Sequence, residues 1–98
     1  MDVAGKWNIS VNTPIGRQEA VLLLVADGAD LTGTCTAGGT TLPLQDGRFE
    51  NDVIGFKVRL VKPMPMDCTY ALAVTGDNLV GDVKLGAFGK AKVTGARA

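Results

Sequence analysis

The sequence predicts an all-β protein, a single closed or nearly closed up-and-down antiparallel meander barrel of about eight strands. Three observations lead there. Apolar and polar residues alternate with the period of a half-buried strand, and no stretch has convincing helical spacing. Glycine, aspartate, asparagine and proline punctuate that pattern at short intervals. The chain has 98 residues, which suits one domain over 1–98 with one modest core and leaves no room for a second.

The first strand is the cleanest. Trp7, Ile9 and Val11 fall on one face and Lys6, Asn8, Ser10 and Asn12 on the other, before Pro14 and Gly16 turn the chain. The second covers residues 17–26, and Asp27-Gly28-Ala29-Asp30 turns it into a third with Leu31, Gly33 and Cys35 on one face. Ala37-Gly38-Gly39 leads to a fourth with Leu42 and Leu44 inward. Asp46 and Arg48 have no fixed side there, because Gly47 is a candidate bulge. Glu50-Asn51-Asp52 opens the fifth, in which Ile54, Phe56, Val58 and Leu60 alternate. After Lys62-Pro63-Met64-Pro65 the sixth carries Cys68, Tyr70, Leu72 and Val74, and Thr75-Gly76-Asp77-Asn78 closes it. The seventh holds Leu79, Gly81, Val83 and Leu85; the eighth, after Gly86-Ala87-Phe88-Gly89, holds Ala91, Val93, Gly95 and Arg97. Gly28, Leu31 and Gly33 recur in order and spacing as Gly76, Leu79 and Gly81, either by duplication or because one hairpin geometry selects those residues twice.

Gly5-Lys6-Trp7 opens the first strand and Gly95-Ala96-Arg97 closes the last, and in these end motifs the chain resembles the calycin group, the lipocalins and avidin-like proteins. The resemblance implies a structural role for both ends: Trp7 plugs the closed end of the barrel and Arg97 packs across its ring. The chain is shorter than a typical lipocalin and lacks its long helix and lid loop. It is also similar to small barrel segments appended to some bacterial hydrolases, through its G-x-W start, its T-P-x-G turn and its F-G…G-x-R ending, which implies an accessory or binding module.

Ten basic residues balance ten acidic ones and neither sign forms a run, so the sequence offers no footprint for nucleic acid or for an anionic membrane. Met1-Asp2-Val3-Ala4 is not the start of a secretory signal, and the expected location is the cytoplasm, with a periplasmic chain whose signal was already removed as the alternative. Cys35 and Cys68 are too far apart in sequence for a metal-binding pair, and one possible bridge is not a disulfide framework; both read as buried free thiols. Asp27-Gly28-Ala29-Asp30 and Asp77-Asn78 lack the spaced oxygens of a calcium loop. No metal and no cofactor is expected.

The chain has no histidine, which removes the usual catalytic triads and the commonest general base. Its one serine, Ser10, is on the outer face with no base nearby. No catalytic residue is assigned. Function rests instead on an asymmetry between the two ends. In a meander, the Asp27, Glu50-Asp52 and Asp77-Asn78 turns share the end of Trp7, while Pro14-Ile15-Gly16, Ala37-Gly38-Gly39, Pro63-Met64-Pro65-Met66 and Ala87-Phe88 gather at the other. The second set is apolar and uncharged. The leading expectation is non-catalytic binding of a small apolar or amphipathic molecule at that mouth, lined by Ile15, Pro63, Met64, Met66 and Phe88, with Cys68, Tyr70 and Cys35 deeper. The opposing interpretation has the same side chains folded inward over a solid core, with Tyr70 bonded to backbone and the thiols acting as small hydrophobes.

The run Val21-Leu22-Leu23-Leu24-Val25 is apolar on both faces, where a lone barrel presents a polar exterior. An interaction or oligomerisation module with a filled core, docking a homodimer mate or a partner protein through those residues, is therefore the second expectation. A small-barrel cyclase or isomerase, with Tyr70 donating a hydrogen bond to a carbonyl, is the third.

Overall fold

The structure, a computed structural model, describes residues 3–13, 16–37, 39–60, 66–86 and 89–98, with the backbone alone for Thr13 and Leu60. Nine strands follow in order: β1 (Gly5–Thr13), β2 (Gly16–Asp27), β3 (Asp30–Ala37), β4 (Thr40–Pro43), β5 (Gln45–Glu50), β6 (Val53–Leu60), β7 (Met66–Thr75), β8 (Asn78–Leu85) and β9 (Lys90–Arg97). All ladders are antiparallel. Strand β1 pairs with β2 on one side and β9 on the other, and the β2–β3 pairing closes the sheet on itself as an eight-stranded barrel with β4 as an extra strand on β3.

Alternation decides which side chains are inside. Trp7, Ile9 and Val11 of β1 meet Leu22 and Leu24 of β2, Ile54 and Phe56 of β6, Leu72 of β7, Leu79 and Val83 of β8 and Val93 of β9 in one buried cluster with no buried polar or charged residue. At about 25 cal/mol per Å² of apolar surface removed from water, this interior is the main source of stability. Among the described residues, no helix is long and apolar enough to cross a membrane.

The turns match their residues. Asn51 and Asp52 both have positive φ (53° and 61°), the requirement of the two-residue turn that follows the natural twist of a hairpin. The recurrence of Gly28/Gly33 as Gly76/Gly81 has a physical counterpart. A Cβ at Gly33 would stand 1.8 Å from the Leu23 carbonyl oxygen, and one at Gly81 would stand 1.9 Å from that of Ala71. Both glycines let a strand press against its neighbour's backbone where the barrel wall bends.

The fourth predicted strand is divided into β4 and β5. The Leu44 N–H donates to the Gly33 carbonyl at 3.0 Å, so alternation aims the neighbouring position away from β3 and toward β6. That position is Pro43, which has no N–H to give. The ladder to β6 begins only at Gln45↔Lys57 and shifts register before Arg48↔Gly55. The irregularity is the bulge expected at Gly47: Asp46 adopts φ 53°, and a Cβ on Gly47 would lie 2.2 Å from the Leu31 carbonyl. Asp46 and Arg48 both emerge on the exposed face.

Candidate functional site

The end of the barrel at Trp7 is stitched shut by specific contacts. Trp7 is fully buried and donates its indole N–H to the Val3 carbonyl at 2.9 Å. The Arg97 guanidinium carbon lies 4.3 Å from the indole ring centroid. Its Nη1 donates to the Ala4 carbonyl at 3.0 Å, and its Nε is 3.4 Å from the Asp77 carboxylate. Main-chain bonds tie the neighbouring turns and ends together: Phe49 to Ala29, Val74 to Asp52, Arg97 to Asp77 and Ala98 to Lys6. Little here is left open for a ligand.

Of the residues expected at the opposite end, Ile15, Pro63, Met64 and Phe88 lie outside the described residues. The deeper set is described. Cys68 and Tyr70 occupy successive inward positions of β7, Cys35 is inward on β3 between Leu22 and Leu42, and all three are buried. Met66 is partly buried and packs against the core, as do Leu42, Leu44 and Leu85 around it. Phe56 of β6 is paired directly with Tyr70, and their rings stack at 4.6 Å with 14° between planes. Both cysteines are free thiols.

The electrostatics of this group follow from burial. Desolvation pushes the Cys35 thiol up to about 11, with the nearby Cys68 adding to the effect. Burial and then Asp67 raise Cys68. Tyr70 is raised well beyond the ordinary phenol value by burial, then by Cys35 and Cys68. The three groups are thus close enough to feel one another across the barrel. All are neutral near pH 7, so the interior offers hydrogen-bond donors and soft sulfur but no charge. The Tyr70 hydroxyl makes no hydrogen bond to a described residue, and among those residues no fully buried polar side-chain atom lacks a partner.

Outside the barrel, alternation resolves the apolar run of β2. Leu22 and Leu24 belong to the core, while Leu23 is 48% and Val25 59% exposed, with Val21 half-buried beside them. Two open depressions mark the outer wall. One, of about 430 Å³, is bordered by Asn8, Ser10, Glu19, Val21 and Thr36. The other, of about 270 Å³, is bordered by Asp46, Arg48, Gly55, Phe56, Lys57, Thr69 and Tyr70.

One feature of the outer wall was not legible as a sequence motif. The register sets Lys57, Thr69, Lys84 and Lys90 side by side on adjacent strands, although they are scattered through the chain. Lys92 follows Lys90 on the same face, opposite Asp82. No charge run announces this row; only strand pairing assembles it. Among the described residues, no three histidine, cysteine, aspartate or glutamate side chains are grouped to hold a metal ion. Comparison with protein-family models, curated proteins and solved structures finds no match to this chain.

Proposed function

We propose that the barrel binds a small apolar or amphipathic molecule through its mouth, in the manner of the calycin barrels its end motifs resemble. The observation that supports this reading is the Tyr70 hydroxyl, a polar group among the apolar side chains of the barrel core with no hydrogen bond to another described residue. Buried polar groups are nearly always hydrogen-bonded, and one without a described partner among apolar side chains suits a guest that brings an acceptor. Because burial raises Tyr70, it stays protonated and acts as a donor. That also suits the cyclase or isomerase alternative, in which the same hydroxyl polarises a carbonyl, but such a role needs a second reacting group that Cys35 and Cys68, held as thiols, do not supply.

Native mass spectrometry of the protein purified gently from its source cells tests the reading. A retained molecule of defined mass is expected, and Tyr70→Phe should weaken its retention by about three- to tenfold, the value of one hydrogen bond. Recovery of ligand-free protein, with no effect of Tyr70→Phe on any small-molecule probe, would remove the basis for it.

A second reading, a module that docks a homodimer mate or partner protein, is favoured by the exposure of Leu23 and Val25. Leu23→Asp is the variant to use, since Leu22 and Leu24 are core residues. A concentration-dependent dimer that Leu23→Asp converts to monomer in sedimentation experiments would support it; an unchanged monomer across concentrations would not.

A further inference from the structure

Two neighbouring positions on the outer wall hold residues that their backbone does not ask for. Gly55 lies inside β6, between Arg48 of β5 and Ala71 of β7. Among the described glycines it alone has neither a positive φ nor a neighbour that a Cβ would strike: the nearest heavy atom to that Cβ is the Tyr70 carbonyl oxygen, at an ordinary 3.8 Å. Glycine weakens a strand interior and often marks the close approach of another group, so alanine would serve the fold better here. Across the β5–β6 ladder the exchange runs the other way. Asp46 has φ 53° at the bulge within β5, where glycine carries the least strain. Glycine stands where a side chain fits, and a side chain stands where glycine fits. Such breaks of a local rule mark positions held for function.

Both residues border the open depression of about 270 Å³, together with Arg48, Lys57 and Thr69. The cations here are already matched. Lys57 Nζ lies 3.9 Å from Asp46, while Arg48 donates from Nε to Glu50 at 2.8 Å and has Nη1 3.4 Å from Asp30. The rim therefore has no excess of positive charge to draw an anion. It offers a guanidinium, a carboxylate, an ammonium and a hydroxyl close together, which suits a neutral ligand with donors and acceptors on adjacent atoms. The volume falls just below the range of about 300–1,000 Å³ typical of sites for drug-sized molecules, so the ligand is small.

We propose that this depression binds a single neutral sugar ring, with a C–H face of the ring on the Gly55 backbone and adjacent hydroxyls bonded to Asp46, Lys57, Arg48 and Thr69. The site is on the outer wall and stands whether or not the barrel interior takes a guest.

The test titrates methyl glucoside, methyl galactoside and methyl mannoside into the isotope-labelled protein and follows its amide resonances. At least one glycoside should shift the amides of residues 46–48, 55–57 and 69–71 and few others. Its Kd should be on the order of 1 mM, the affinity of about thirteen non-hydrogen atoms at modest efficiency. Gly55→Val, which fills the depression, should abolish the shifts, and Asp46→Asn should weaken binding by about three- to tenfold. Gly55→Ala should raise the melting temperature by about 2–8 °C, the gain when alanine replaces a glycine whose conformation it can adopt. No localised shifts from any of the glycosides at about 100 mM, a hundredfold above the expected Kd, would overturn the proposal. So would larger shifts from inorganic phosphate than from any glycoside, which would make this an anion site, or a Kd that Gly55→Val leaves unchanged. A Gly55→Ala protein that melts below the parent would overturn the premise that the fold leaves Gly55 free, and the proposal with it.

Discussion

The Trp7 end of this barrel and the described residues of its opposite half are built in different ways. At the closed end, a fully buried indole is held by a hydrogen bond to Val3 and covered by Arg97, which is itself fixed by Ala4 and Asp77. In the other half, stacked Phe56 and Tyr70 and two uncharged thiols share the core with partly buried Leu42, Met66 and Leu85, and the Tyr70 hydroxyl makes no hydrogen bond to another described residue. The first arrangement uses each polar group for closure. The second leaves one without a described partner, and that difference separates an end built for closure from the half where binding is proposed.

The contrast is sharpest under truncation. Trp7→Ala removes the largest fully buried side chain, and a loss of about 3–5 kcal/mol in urea-unfolding free energy is expected. Leu85→Ala, at a half-buried position near the mouth, should cost only about 1–2 kcal/mol, since less area returns to water. Arg97→Ala comes next for the closed end, at about 1–2 kcal/mol, because the cation–π contact is only partly shielded from solvent. Equal costs for Trp7→Ala and Leu85→Ala would show that the two ends are equally packed and would break the comparison.

Much of this division was legible from residue order because a barrel wall obeys a period of two. Parity identified Trp7, Ile9, Phe56, Tyr70 and Leu72 as inward, and Gly47 as the place where parity would slip. The break at Pro43 was less visible: a proline excludes a donor, but only the Leu44–Gly33 bond shows that the missing donor is the one facing β6. The lysine row escaped for a related reason. Lys57, Lys84 and Lys90 become neighbours through three separate registers, and sequence charge patterning detects runs, not ladders. The proximity of Cys35 to Cys68 likewise depends on closure of the barrel, which brings β3 and β7 to face one interior.

That proximity provides the smallest effect and the most selective one. The folded-state pKa of Cys35 is raised from an ordinary 9.0 to about 11. Below pH 9 both folded and unfolded chains hold the proton, and the thiol contributes its full stabilising preference for the folded state. Between pH 9 and about 11 the unfolded thiol releases its proton while the folded one retains it, so unfolding becomes linked to proton release and stability falls with rising pH. Ionisations common to both proteins cancel in the comparison, so the difference between the two is the informative quantity. Cys35→Ala should be somewhat less stable than the parent at pH 8 through lost packing, and the gap should narrow as pH approaches 11 in paired thermal-unfolding curves. A gap independent of pH would mean that Cys35 is as well solvated as an unfolded thiol, and the mouth side would then be open to water far more deeply than its apolar walls suggest.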